Sequence, residues 1–380
     1  MGELEVRNLT KYVDGRLVID RVSFRVNDGE FFVVLGPAGS GKSVLLRLIG
    51  GLDQPDEGQV LIDGQDVTML PPGQRNIAMA LQNNYGLYPR MDVYQNIAFG
   101  IRNQHLDSEG VEMRVVAAAH TVGIGHLLKR KATDLPGEDQ RHIVLARMLA
   151  KKAALYLFDE WPQQLTTSLR YQARQDMLMV HRKGYQASIY FTSDQMEGLA
   201  IAHRAALLVK GSIQQIGTRD ELISTPANAF VAGFVGSPPM NILPGYLQNN
   251  YKLTDLKYRI RARGVSPILS SKWNCILQSY DHPNVLLGIR PDLICPDWTF
   301  PDLLLKPDYI TQATIIEVEP HPKSAVVKLE VEEGDTIMAV FYAPSLDRIR
   351  IGHCVTIGLH TEKLYLFHPV TGQPFKLGSA

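Results

Sequence analysis

The chain is poor in cysteine: Cys275, Cys295 and Cys354 are the only three in 380 residues. An odd, scattered trio without metal-ligand spacing argues against a disulfide framework and fits a reducing compartment. Net charge is absent too, with 39 Lys plus Arg against 39 Asp plus Glu. That balance supplies no field to draw nucleic acid or a polyanionic surface, so no nucleic-acid partner is expected. No run approaches the roughly 18 apolar residues of a membrane span. The opening stretch MGELEVRNLTKYVDG is charged where a secretion signal would be apolar. Contact with a membrane is therefore expected only through a partner. Low-complexity segments and repeats of about 20–50 residues are also missing.

What is present is ordinary globular material, 45% apolar and 21% charged, long enough for two or three domains. From Glu3 to about Val34 the pattern alternates, in LEVRNL, RLVIDRVSFRV and EFFVVLG, as strands separated by DG turns. Helical periodicity dominates from about Tyr94 to Ala150, after which ALYLF, SIYFTS and AALLVKGSIQQIG read as strands around a further helix. That alternation is an α/β layer architecture. After GSPPMNILPG, residues 236–245, short turn-punctuated strands take over, predicting a small all-β domain or a pair of barrels beyond a Pro/Gly-rich boundary.

The strongest chemical signal is FFVVLGPAGSGKSVLLRLIGGL, which sets G-x-x-x-x-G-K-S between an apolar strand and an apolar-periodic helix. Gly36, Gly39 and Gly41 let the loop over Gly36, Pro37, Ala38, Gly39, Ser40, Gly41, Lys42, Ser43 and Val44 curl around phosphate, with every residue but Pro37 able to turn a backbone N–H toward it. Lys42 supplies a point charge to the outer phosphates, and Ser43 can ligate Mg²⁺. Further on, ALYLFDE puts Asp159 at the carboxyl end of a buried strand, fit to hold the Mg²⁺ shell, and Glu160 beside it, fit to orient or deprotonate water. An acidic pair after a strand is a weak sign alone; beside a phosphate loop it becomes a catalytic pair. His282, His321, His353, His360 and His368 have no useful spacing to a carboxylate or thiol and are read as surface or core residues.

On these motifs, and on QNNYGLYPRMDVYQNIAFGIR, FVAGFVGSPPMNILPG, LLGIRPDLI and LYLFHPVTGQPF, the chain resembles the ATP-binding subunits of ABC transporters, specifically the maltose-type importer ATPases with a C-terminal regulatory domain. The resemblance spans nearly the whole chain. It implies an α/β P-loop NTPase, with a RecA-like core and a helical subdomain at about 88–150 within residues 1–235. An all-β OB-like regulatory and dimerisation domain would follow over 236–380. The implied cofactors are ATP and Mg²⁺. The implied partners are transmembrane permease subunits, a second ATPase subunit and, indirectly, a substrate-binding protein, all at the cytoplasmic face of the membrane. Sugars, polyols or glycerol phosphates are the implied solutes. Tyr12, in LTKYVDG, lies where the family stacks an aromatic ring on adenine. Gln82 takes the Gln-loop slot counting forward from the strand, as a catalytic and Mg²⁺-contacting residue, whereas counting back from LYP gives Asn83; Gln82 is the reading adopted.

Departures from the family pattern are concentrated in the catalytic motifs. Where the family carries L-S-G-G-Q, this chain reads LPGED: Leu135 and Gly137 match, Pro136 replaces the serine, and Glu138 and Asp139 replace the second glycine and the glutamine. Ser193 stands where the family has a switch histidine, and a hydroxyl cannot take up a proton near neutrality. The S-N-L-D loop has become Gln163, Gln164, Leu165 and Thr166. Together these predict weak hydrolysis by the chain itself and a role as the degenerate half of a heterodimer. A competent homodimeric ATPase of an importer for another solute, such as a metal oxyanion, iron or a polyamine, or a nucleotide-binding regulator without transport, is the alternative.

Overall fold

The computed structural model describes residues 2–81, 86–102, 104–160, 167–250, 257–343 and 346–375. The chain folds as two compact units, residues 1–219 and 220–380.

The first unit opens with long antiparallel strands β1 (Leu4–Val13) and β2 (Arg16–Val26). With β4 (Glu57–Ile62) and β5 (Gln65–Asp66) they form a four-stranded sheet in the order β2-β1-β4-β5. The second sheet contains β3 (Phe31–Leu35), β6 (Ile77–Ala80), β7 (Leu155–Asp159), β8 (Ala187–Thr192), β9 (Arg204–Val209) and β10 (Ser212–Gly217), ordered β10-β9-β3-β8-β7-β6. Five of these strands run parallel; β10 alone pairs antiparallel. Strands buried on both faces need continuous apolar runs rather than alternation, and FFVVL in β3 and ASIYFT in β8 are buried throughout.

Helix α1 (Lys42–Gly50) packs Leu45, Leu46, Leu48 and Ile49 into the core between the sheets. The fully buried Arg75 donates to Leu48 O at 2.7 Å and Ile49 O at 2.9 Å, satisfying the last carbonyls of α1. The helical segment consists of α2 (Val93–Phe99), α3 (Ser108–Thr121) and α4 (Gly137–Lys151). α4 begins at Gly137, after a 3-10 turn over Ala132–Asp134, so the helical run starts within the PGED stretch. α5 (Thr167–Gly184) and α6 (Gln195–Ile201) complete the unit.

The second unit begins before the Pro/Gly-rich stretch, with α7 (Arg219–Ser224) and α8 (Ala229–Phe234). Residues 220–235 group with the β domain because α8 buries Ala232 with Met240 and Phe367. The Arg290 guanidinium donates to Val235 O at 3.2 Å and to Ile223 O, and the Tyr365 hydroxyl donates to Ser224 O at 3.0 Å. Strands β11 (Asn241–Asn250), β12 (Lys257–Ala262), β13 (Asn284–Ile289) and β19 (Tyr365–Phe367) form one sheet, β12-β11-β13-β19, with the short helix α9 (Asn274–Leu277) between β12 and β13 in sequence. The other sheet is β14-β18-β15-β16-β17, built from β14 (Cys295–Pro296), β15 (Tyr309–His321), β16 (Ser324–Glu330), β17 (Thr336–Tyr342) and β18 (Cys354–Leu359). Alternation along β16 and β17 sends Val327, Leu329, Ile337, Ala339 and Phe341 into one shared core.

Candidate nucleotide-binding site

Strand order decides which residues meet. β8 lies between β3 and β7, so the carboxyl ends of three adjacent parallel strands carry the phosphate loop, Ser193 and the Asp159–Glu160 pair. Ligands of open α/β sheets bind at such carboxyl ends.

The loop between β3 and α1 is shaped by its glycines. Gly39 at φ 75° and Gly41 at φ 103° occupy the left-handed region. A Cβ on Gly36 would stand 2.2 Å from Leu208 O, so no side chain fits there. Ala38 and Gly39 are exposed, Pro37 is half-buried and Ser43 is exposed at the first turn of α1, with Val44 half-buried behind it. The Ser40 hydroxyl is buried and has no hydrogen-bond partner among the described residues.

Lys42 is buried, with its ammonium donating to Gly36 O at 2.8 Å and Pro37 O at 3.1 Å and lying 3.5 Å from Glu160 Oε1. Burial pulls the Lys42 pKa down, and the Glu160 and Asp159 carboxylates push it back up. Burial also raises Asp159, to about 6, helped by the Glu160 charge and opposed by Lys42. Asp159 Oδ1 is buried without a hydrogen-bond donor among the described residues. Glu160 sits at φ 38°, an uncommon conformation for a residue with a side chain, and its N–H donates to Phe191 O at 2.8 Å. The backbone strain and the orphaned carboxylate oxygen occur beside the same lysine, where strain is characteristic of functional sites.

This set fits MgATP. Exposed loop N–H groups and Lys42 would hold the phosphates, while Ser43 and the under-coordinated Asp159 would hold the cation; the metal supplies charge neutralisation on the phosphates when bound. Tyr12 is 50% exposed near the end of β1 and pairs across the hairpin with Leu17. The next residue, Val18, lies against the loop: its carbonyl oxygen is 3.0 Å from where a Cβ of Gly41 would be. Ser193 follows β8 and is half-buried. Gln82, Asn83 and residues 163–166 lie outside the described residues.

The start of α4 is a separate element from the strand ends that carry this cluster. Pro136 caps α4 at φ −56° and ψ 155° without a side-chain bond, and Glu138 and Asp139 occupy the first turn, Glu138 exposed and Asp139 half-buried. Gln140 Nε2 donates back to Leu135 O at 2.9 Å, fixing the entry to the helix. Two contacts that periodicity hid are those of Asn96, fully buried, and Arg147, whose partners lie far away in sequence. The half-polar run YQNIAFG is the one sequence sign of the first.

Sheet order, phosphate loop and carboxylate pair together define a P-loop ATPase. Residues 19–163 match the ABC transporter family, and residues 236–294 match the MalK OB fold domain. The trehalose/maltose import ATP-binding protein MalK of Thermococcus litoralis is 33% identical over 362 residues, 93% of this chain and 94% of that protein. The sn-glycerol-3-phosphate import ATP-binding protein UgpC of Bordetella pertussis is 41% identical over 244 residues, 64% of this chain and 67% of that protein. In fold, cbiO1 of Clostridium perfringens, part of the transporter complex cbiONQ, superposes with a TM-score of 0.53 at 22% identity, covering 58% of this chain and 89% of that one. The chain belongs to the ATP-binding subunits of ABC transporters that carry a MalK-type OB domain.

Proposed function

We propose that the chain powers import of a sugar, polyol or glycerol phosphate as the degenerate half of an ATPase heterodimer, bound to permease subunits on the cytoplasmic face of the membrane. The trehalose/maltose and sn-glycerol-3-phosphate import relatives support the solute class. In this reading Tyr12 stacks on adenine, residues 36–44 wrap the phosphates, Ser43, Asp159 and Gln82 serve the Mg²⁺, and Glu160 orients water. The observation that carries ATP use is the convergence of Lys42, Asp159 and Glu160 at neighbouring strand ends.

The heterodimer follows from α4. An ABC signature binds the partner's γ-phosphate through a helix N-terminus, and here that turn holds two carboxylates. A carboxylate about 4 Å from a phosphate charge costs on the order of 4 kcal/mol at an effective dielectric near 20. The helix macrodipole returns at most about 2 kcal/mol. Repulsion wins, so this chain needs a partner with a full catalytic set. Affinity purification of the chain from its native cell tests all of this: permease with a second ATPase is the expected catch. Permease alone indicates a homodimer, and neither indicates a protein outside transport; either result removes the heterodimer.

A further inference from the structure

The end of β1 that carries Tyr12 runs past its neighbour. β4 begins at Glu57 and its pairing with β1 stops at Thr10, so beyond Thr10 that side of β1 has no strand partner among the described residues. Asp56, the residue before β4, fills the gap. Its N–H donates to Thr10 O at 2.9 Å, its Oδ2 accepts from Tyr12 N–H at 2.6 Å, and its Oδ1 accepts from the Lys11 ammonium at 3.1 Å. One carboxylate thus supplies the acceptor that a longer β4 would have supplied from its backbone. The bond from the Tyr12 backbone, with that from Lys11, holds the Asp56 carboxyl below the ordinary carboxylate range.

The hold matters because the ladder on the other side of β1 is broken at the same point. Lys11 pairs with Ile19 but Tyr12 with Leu17, which leaves Val18 as a bulge in β2. A bulge interrupts the alternation that otherwise fixes which face a side chain takes. The bulged Val18 turns its carbonyl to the phosphate loop: that oxygen lies 3.0 Å from where a Cβ of Gly41 would be and 2.2 Å from that of Gly211. Gly211 in turn donates its N–H to Ser40 O at 2.9 Å. The rung bearing Tyr12 is therefore next to the strand residue that abuts the loop, and Tyr12 is 50% exposed there.

The segment before Asp56 is anchored to the helix that follows the phosphate loop. The Arg47 carbonyl of α1 accepts from Leu52 N–H at 2.9 Å and Asp53 N–H at 3.3 Å. Its guanidinium grips both Asp53 oxygens, Nε to Oδ2 at 2.6 Å and Nη2 to Oδ1 at 2.8 Å. Only Gln54 and Pro55 separate Asp53 from Asp56, and the proline ring fixes one of the intervening φ angles. A short strap thus runs from α1 to the backbone of Tyr12.

We infer that Asp56 is the positioning residue for base binding: through its bond to Tyr12 N–H it sets the tyrosine ring relative to the loop that takes the phosphates, so that base and phosphates are met together. This rests on the stacking of Tyr12 on adenine proposed above. Asp56 itself is assigned no contact with nucleotide.

The test measures binding of MgATP, and of magnesium tripolyphosphate, which has the phosphates but no base, to the purified full chain by isothermal titration. Asp56 is exposed, so its substitutions leave the core intact. Tyr12→Ala is expected to weaken MgATP binding about tenfold, the scale of a base–aromatic stack, and to leave tripolyphosphate binding unchanged. Asp56→Ala should weaken MgATP about three- to tenfold and tripolyphosphate by less than about twofold. Asp56→Asn keeps an oxygen to accept from Tyr12 N–H and should bind MgATP within about twofold of wild type. Adding Asp56→Ala to Tyr12→Ala should cost nothing further, since both act through one ring. Wild-type MgATP affinity in Asp56→Ala, beside a weakened Tyr12→Ala, would overturn the inference and leave the stacking intact. Equal losses of both ligands in Asp56→Ala would overturn it too, by making the residue a support of the fold. Unchanged MgATP affinity in Tyr12→Ala is a separate result: it overturns the stacking, and the inference with it.

Discussion

Lys42 is held by two carbonyls of its own loop and by Glu160, so nucleotide must exchange those contacts for phosphate oxygens. Nothing else in the loop carries positive charge. Lys42→Ala should therefore abolish MgATP binding by the purified chain, read by isothermal titration; wild-type affinity in the variant would place the phosphates elsewhere. At this scale the site was legible, because residues 36–44 are contiguous and each conformational demand, such as φ 75° at Gly39, falls on a glycine. Asp159 and Glu160 were legible for the same reason, as the end of an apolar run. Arg147 was not. It occupies a position that helical periodicity counts with the buried face, and its acceptors lie 51 and 61 positions away in sequence. A contact of that span leaves no local pattern; only the tertiary fold creates it.

Elements were legible where burial was uniform or alternating, and less so where an element changes allegiance. The apolar run ALYLF announced the buried strand β7, whereas EFFVVLG, which reads as part of an alternating stretch, is buried throughout in β3 because that strand lies inside the sheet between β9 and β8; the buried faces of β16 and β17 alternate. α8 looks like the tail of the ATPase unit in sequence, yet its small apolar face packs on Met240 and Phe367. Between α5 and β3 there is also a titrating contact that no motif marks. His181 Nδ1 lies 3.0 Å from Ser188 Oγ, and its ring stands edge-on to Phe31 at 5.1 Å. Burial lowers its pKa from 6.5; nearby His203 and Arg182 act in the same direction, against a hydrogen bond with the Gln186 backbone. The unfolded chain therefore binds this proton at a higher pH than the folded one, and stability falls as pH drops below about 6.5 through the folded pKa. His181→Gln should shrink the difference in melting temperature between pH 7.5 and 5.5, measured without nucleotide. An unchanged difference would assign that dependence to other groups.

For the whole molecule, the heterodimer proposed above would make the two ATP sites unequal. Alone, the chain should hydrolyse ATP slowly, since losing positioned acid–base and electrostatic groups costs about 10²–10⁴ in rate; a purified, partner-free turnover equal to that of a complete importer ATPase would contradict it. In a sandwich with a complete partner, the site on this chain's Lys42, Asp159 and Glu160 receives an intact signature but has Ser193 in place of a proton-accepting histidine. The opposite site has a full catalytic set but faces Glu138 and Asp139. Replacing Glu160 by Gln, and separately the equivalent glutamate of the second ATPase, distinguishes the two sites in the assembled transporter. The partner's substitution should cost more ATPase activity and uptake. Glu138 is exposed at the helix start and can swing toward water, leaving only the half-buried Asp139 facing the phosphate, whereas Glu160, in the proposed role of orienting water, would have no imidazole beside it. Equal losses from the two substitutions would show that the sites are equivalent, and that two carboxylates at the α4 amino terminus do not hinder closure on the γ-phosphate.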